Sequence, residues 1–208
     1  MAERGNTPQH SVAAAAVREE GAPGRLEAVR RFVNTRDVED GIEELGTPAA
    51  ARSWLREHGL PDVPAADAKQ LERLTALREA LRQLLLANNG QAHDQRALER
   101  LRAEAAGVPL QVRFDAEGQS ALVPAGAGID AVVAELLGIV HEAMANGTWA
   151  RLKACRSETC EWAFYDRSRN RSGTWCSMAV CGNRAKARSH RRRHRARESA
   201  RESGSEGN

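Results

Sequence analysis

Aromatic side chains are scarce in this chain: four Trp, three Phe and one Tyr among 208 residues. Its core must therefore rest on Leu, Val and Ala, and the Ala and Leu content favours helices. Long apolar runs are missing as well. Nothing approaches the ~18–20 consecutive apolar residues that span a bilayer. The one apolar stretch near the start, 12–17, is short and is followed by Glu19 and Glu20. Neither a membrane span nor an export signal is expected, and the expected compartment is the cytoplasm. A glycine-rich phosphate loop and a G-x-S-x-G nucleophile elbow are absent too, and His58, His93 and His141 lie scattered. With no catalytic constellation in view, the chain is not expected to be an enzyme.

What charge there is falls unevenly. The net charge is +3, yet residues 1–150 hold 16 Lys and Arg against 22 Asp and Glu, a net of −6. Residues 151–208 hold 15 against 6, a net of +9. An acidic body repels phosphate, and a basic terminal section attracts it.

Residues 1–24, rich in Gly, Pro and Ala, show no useful period and read as a disordered N-terminus. Leu26, Val29, Phe32 and Val33 then recur at helical spacing, ending near Asn34 and Thr35. The polar stretch Arg36 to Gly46 reads as a loop. Thr47 and Pro48 open a helix that carries Trp54 and Leu55 inward and stops at Gly59. Asp67, with Gln70 three residues on, opens a longer helix. Its apolar stripe is Leu71, Leu74, Leu77, Leu81, Leu84 and Leu85, and Asn88-Asn89-Gly90 ends it. Asp94 opens a further helix with Leu98 and Leu101 inside, closed by Gly107. Leu110, Val112 and Phe114 alternate as a strand, residues 115–118 make a turn, and Ser120 to Val123 return. One hairpin is marginal alone, so it must pack on the helices. The last helix of the body, from about Asp130 to Asn146, buries Val132, Val133, Leu136, Leu137, Val140 and Met144. The fold class is mainly α with a β-hairpin (α+β): a helical N-terminal domain followed by a small C-terminal four-cysteine finger.

All four cysteines lie within 27 residues, as C-x4-C-x15-C-x4-C: Cys155, Cys160, Cys176 and Cys181. Two close pairs joined by a longer loop suit tetrahedral zinc, because each short pair aims two sulfurs at one point. Two disulfides, or four unrelated thiols, are the alternatives. Four thiolates leave no open coordination position, so one Zn2+ held this way is structural. His190 and His194, at i and i+4, are either metal ligands or members of a basic helix face.

The segment Cys155-Arg-Ser-Glu-Thr-Cys160-Glu-Trp162-Ala-Phe164-Tyr-Asp166-Arg-Ser168-Arg169-Asn170, with Trp175-Cys176-Ser-Met178-Ala-Val-Cys181-Gly182-Asn183-Arg184, resembles the CGNR zinc-finger family, including the tetrad at 181–184. The body resembles the ABATE domain that accompanies this finger, through Phe32-Val33-Asn34-Thr35-Arg36, the Thr47-Pro48 helix, the Leu-rich helix and the late hairpin, in that order. The resemblance covers roughly residues 25–197. It implies zinc, DNA binding and a stress-related role in transcription regulation in bacteria. With Gly147 breaking the last body helix, the chain divides into a helical ABATE-like regulatory domain at 25–147 and a CGNR-type finger with its basic helix at 148–197, and the Ser, Gly and Glu of 198–208 read as a disordered tail. Gly173-Thr174 departs from the resemblance, since the family tends to be basic there.

From Arg184 to Arg197 stand eight Lys and Arg and no acid: Arg184, Lys186, Arg188, Arg191, Arg192, Arg193, Arg195 and Arg197. Without an apolar stripe this segment is a poor helix alone, and a phosphate backbone would order it. Its attachment to the fourth cysteine fixes where it starts. Asn183 and Arg184 either read base edges, or cap the helix and pair with Asp166. Arg169 and Asn170 contact phosphate or brace their loop. Trp162, Phe164 and Trp175 shield the metal or stack on bases. In the body, Asn34, Thr35 and Arg36 either line a small-molecule pocket or cap a helix. The expectation is a zinc-dependent DNA-binding transcription regulator whose helical domain senses a ligand or mediates assembly, a homodimer included. A protein–protein adaptor with a structural zinc module, and RNA binding, are the alternatives.

Overall fold

The computed structural model describes residues 21–64 and 66–205, with side-chain surroundings as far as Arg195. Residues 1–20 and 206–208, which belong to the two expected terminal segments, lie outside the described residues.

Helix α1 (Leu26–Asn34) follows the expected period and buries Leu26, Val29, Phe32 and Val33. The expected loop after it contains two short strands, β1 (Arg36–Asp37) and β2 (Ile42–Glu43), paired antiparallel. The Asp37 carboxylate accepts from the N–H groups of Glu39 (3.0 Å) and Asp40 (3.2 Å) and so closes the turn between them. Helix α2 (Pro48–Glu57) starts as its sequence dictates, with the Thr47 hydroxyl accepting from Ala50 N–H at 3.1 Å. Trp54 is buried beside Phe32, and His58 stacks on it with ring centroids 4.0 Å apart.

The long helix α3 (Ala68–Asn88) opens on a reciprocal capping box between Asp67 and Gln70. Leu74, Leu77, Leu81 and Leu85 are fully buried, and Leu71 and Leu84 lie at the margin. Helix α4 (Gln95–Gly107), capped by Asp94, packs on α3 with Ala97 buried and Leu98 and Leu101 half-buried. The hairpin of β3 (Leu110–Phe114) and β4 (Ser120–Pro124) comes next. Helix α5 (Gly128–Ala145) begins two residues before Asp130 and runs through the centre of the core.

The hairpin packs on α5, as expected, through Leu110 and Leu122 beside Gly138. Val112 and Phe114 are 60% and 68% exposed, and one expectation fails: Met144, expected inside, is 49% exposed.

The cysteine-bearing segment shares the body's core. A short 3-10 turn (Trp149–Arg151) leads into β5 (Leu152–Ala154), which pairs antiparallel with β6 (Ala163–Tyr165). Trp149, Leu152, Ala154 and Ala163 are buried in the same apolar cluster as α1, α3 and α5. Ala22 joins that cluster as well, so the end of the segment expected as a disordered N-terminus is packed. A π-helical turn (Met178–Gly182) then passes directly into α6 (Asn183–Ser205). The helix runs on through residues 198–205, where a disordered tail was expected.

Candidate metal centre and basic helix

The four cysteine sulfurs all lie within 4.8 Å of one another. Cys160 Sγ is 3.6 Å from Cys176 Sγ, which is 3.8 Å from Cys181 Sγ. Zinc–sulfur bonds of about 2.3 Å in a tetrahedron place the sulfurs about 3.8 Å apart, whereas a disulfide requires about 2.05 Å. The donor set therefore fits one structural zinc and excludes the disulfide alternative. The local electrostatics ask for a cation too. Hydrogen bonding from Cys160 draws the Cys155 thiol far below its ordinary range, and Cys155 in turn pushes Cys160 and Cys176 far above theirs. Four sulfurs this close cannot all ionise without a positive charge between them.

Each cysteine pair sits on a built turn. In the first, Cys160 and Glu161 N–H groups donate to the Ser157 carbonyl at 2.8 and 3.0 Å, and Glu161 takes a left-handed conformation at φ 49°. In the second, the Ser177 hydroxyl caps the π-helical turn by accepting from Val180 N–H at 3.3 Å. Trp162 and Trp175 pack half-buried against the sulfurs, as shields would. Phe164 is half-buried on β6.

Between the pairs, residues 166–174 are held by a buried ion pair that sequence reading missed. Lys153 Nζ donates to Asp166 Oδ2 at 2.7 Å and to the carbonyls of Arg171 (2.6 Å) and Gly173 (3.0 Å). Burial alone would raise the Asp166 carboxyl, but Lys153 and the N–H groups of Ser168 and Gly173 hold it at about 2. Gly173 faces this carboxylate so closely that a Cβ would stand 2.8 Å from Asp166 Cγ. A basic side chain has no room there, which accounts for the departure at 173. Arg169 and Asn170 are exposed on the loop so braced.

A polar seam joins this module to the body. The Asn34 amide donates to the Ala163 carbonyl at 2.9 Å and accepts from Ala163 N–H at 2.7 Å. Asn88 donates to the carbonyls of Trp149 and Leu152, both at 2.9 Å. Asn89 donates to those of Ala154 (2.7 Å) and Thr174 (2.8 Å). Arg82, fully buried, donates to the carbonyls of Glu161 (2.9 Å), Val33 (2.7 Å) and Arg36 (3.2 Å). One turn earlier, Arg78 forks onto Glu43 at 2.6 and 2.7 Å and reaches the Thr35 hydroxyl at 3.1 Å. Glu79 receives Nε–H of both arginines, at 2.8 Å from Arg78 and 3.0 Å from Arg82.

This seam accounts for two of the three residues expected as a ligand patch. Asn34 and Thr35 are buried and committed to the chain's own groups, and Thr35 also donates to the Phe32 carbonyl at 2.8 Å. The Arg36 carbonyl accepts from Arg82, while the Arg36 side chain is exposed. Asn34 and Thr35 thus close the end of α1 and seat the module. The signal for the seam was present in the sequence: Arg78 falls inside the leucine stripe of α3, between Leu74 and Leu81, where a solvent-facing arginine does not belong.

In α6 the described basic residues, Arg184, Lys186, Arg188, Arg191, Arg192, Arg193 and Arg195, are all exposed. Asn183 Nδ2 donates to the Ala179 carbonyl at 3.1 Å, so it braces the junction of the π-helical turn and α6. Arg184 pairs with Glu39 in the β1–β2 turn, not with Asp166, whose charge Lys153 has taken. His190 and His194 stand apart from the cysteine cluster, which is complete with four sulfurs.

Residues 26–146 match the family model for ABATE, described as "Putative stress-induced transcription regulator", and residues 151–194 match that for the CGNR zinc finger. No curated protein matches the chain significantly.

Proposed function

Since the chain belongs to the ABATE family and ends in a CGNR zinc finger, we propose that it is a zinc-dependent DNA-binding transcription regulator whose helical body senses a ligand or mediates assembly. The supporting observation is the direct passage from the fourth zinc ligand, Cys181, into the arginine-bearing helix α6. Arg184, Arg188, Arg191 and Arg195 recur at i, i+4, i+7 and i+11, which puts them on one helical face about 16 Å long. The metal fixes the root of this helix, and Asn183 and the Arg184–Glu39 pair fix it further. An arginine stripe on a helix about 10–12 Å across suits the major groove, with arginine reading guanine edges and neighbouring charges meeting phosphates.

In this reading DNA is the partner, and the protein acts in the bacterial cytoplasm under stress without catalysing a reaction. None of the described helices is long and apolar enough to cross a membrane. A homodimer would double the contact that one small module makes.

Fluorescence anisotropy against duplex DNA at several salt concentrations tests the proposal. If about five basic side chains meet phosphates, log affinity falls with log salt at a slope of roughly −4 to −5. Absent or salt-insensitive binding would favour a protein–protein adaptor. Stronger competition by structured RNA than by DNA would move the reading to RNA. Genome-wide capture of bound DNA then supplies the operator.

A further inference from the structure

With Asn34 and Thr35 committed to the seam, a ligand of the body calls for another candidate place. The described body holds a cleft of about 430 Å³ where α3, α4, α5 and the β3–β4 hairpin meet. That volume lies within the ~300–1,000 Å³ that small-molecule sites occupy. Met144, one of its lining residues, is 49% exposed. Its walls are Leu84 of α3, Leu98 and Leu101 of α4, Leu122 of β4, and Leu137 and Met144 of α5.

The chemistry of the lining narrows the occupant. The walls carry branched hydrocarbon and one adaptable thioether, and no aromatic ring against which a flat ligand could stack. Among its lining residues Arg102 of α4 and His141 of α5 are the polar ones, so most of a ligand's surface there must be apolar. Both are exposed, and Arg102 presents a planar guanidinium with several N–H donors. An aliphatic body with a negative head answers both features, the chain lying among the leucines and the head facing the guanidinium.

We propose that this cleft is the ligand site of the body and that it takes a medium-chain aliphatic carboxylate. The proposal rests on the sensing half of the reading above. The site itself is independent of whether α6 meets DNA.

The zinc-loaded full chain is titrated calorimetrically with sodium dodecanoate and with dodecyltrimethylammonium, each below its micelle-forming concentration. The methyl resonance of Met144 is followed in parallel, with that of Met178 as the distant control. Dodecanoate is expected to bind once per chain and to shift Met144 but not Met178, and the cationic surfactant to bind at least about tenfold more weakly. Arg102→Gln, at an exposed position, should weaken dodecanoate about tenfold through loss of a charge-assisted bond. Absence of heat with a static Met144 would overturn the proposal, as would equal binding of both surfactants or an unchanged affinity in Arg102→Gln. A dimeric mass by light scattering, with Met144 insensitive to dodecanoate, would assign the cleft to a second copy of the chain instead. A protein that binds dodecanoate but not DNA removes the regulator reading and leaves this one, and the converse result does the opposite.

Discussion

Asn34, at the end of α1, and Ala163, in β6 of the zinc module, exchange two hydrogen bonds across 129 residues of chain, at 2.9 and 2.7 Å. An amide side chain that supplies one donor and one acceptor to a single residue behaves as an added strand partner. Both ends are buried. Asn34→Ala leaves an N–H and a carbonyl in the core without a partner, and each such group costs about 1–3 kcal/mol. The variant should lose about 2–4 kcal/mol of stability in urea unfolding, and amide exchange should quicken in β5 and β6. Unchanged protection at Ala163 would refute this role for Asn34.

Metal removal should reach beyond the finger. Structural zinc in comparable small sites contributes roughly 10–16 kcal/mol at neutral pH, as much as a whole domain's stability. Because Trp149, Leu152, Ala154 and Ala163 share the body's core, chelation or Cys176→Ser should also expose the C-terminal turns of α3 and lower the melting temperature of the helical signal. Elemental analysis should return one zinc per chain. A metal-free protein with native exchange rates in residues 80–89 would show the two regions to be independent.

Glu39 and Arg184 make an ion pair at the root of α6. Arg184 is 41% exposed, and pairs of this kind contribute about 0–1 kcal/mol. Glu39→Gln should therefore leave thermal stability nearly unchanged. Under the DNA-binding reading it also removes a negative charge next to the proposed interface, so affinity for duplex DNA should rise a few-fold at low salt and converge with the wild type at high salt. A fall in affinity would mean that the pair aims the helix.

Acid sensitivity has an identifiable contributor in the body. Burial would raise the Glu27 carboxyl, but bonds from Arg30 and Arg31 and from Ala22 N–H hold it at about 2 against an ordinary 4.5. A depressed carboxylate stabilises the fold fully above its unfolded value, and the contribution disappears as pH falls through the folded one. Wild type and Glu27→Gln should differ most above about pH 5, and the difference should shrink between about pH 4.5 and 2. A constant difference across that range in urea titrations would exclude the assignment.

Much of the architecture could be read from residue spacing. The caps at Thr47, Asp67 and Asp94 and the periods of α1, α2 and α3 are local signals, and local signals survive into the fold. The four cysteines were legible for the same reason, since each pair is closed by its own short turn. What escaped was non-local. Asn88 and Asn89 read as a helix stop, and nothing nearby says that their amides hold the backbone of residues 149–174. Lys153 and Asp166 look like ordinary surface charges until the β5–β6 hairpin brings them together. The hairpin β3–β4 was recognisable by alternation, but alternation names a face without naming what covers it. Helical spacing likewise placed Met144 inside, where it is half exposed.

The seam has a consequence for moving this finger between proteins. Cys155 to Cys181 is the shortest stretch that keeps all four sulfurs, yet cut free it would leave behind the amides and guanidinium that complete its backbone bonding. A chimera that borrows the segment must also borrow Asn34, Arg82 and Asn89, which stand on or at the ends of two distant helices. Recombination should accordingly exchange body and finger as a single cassette.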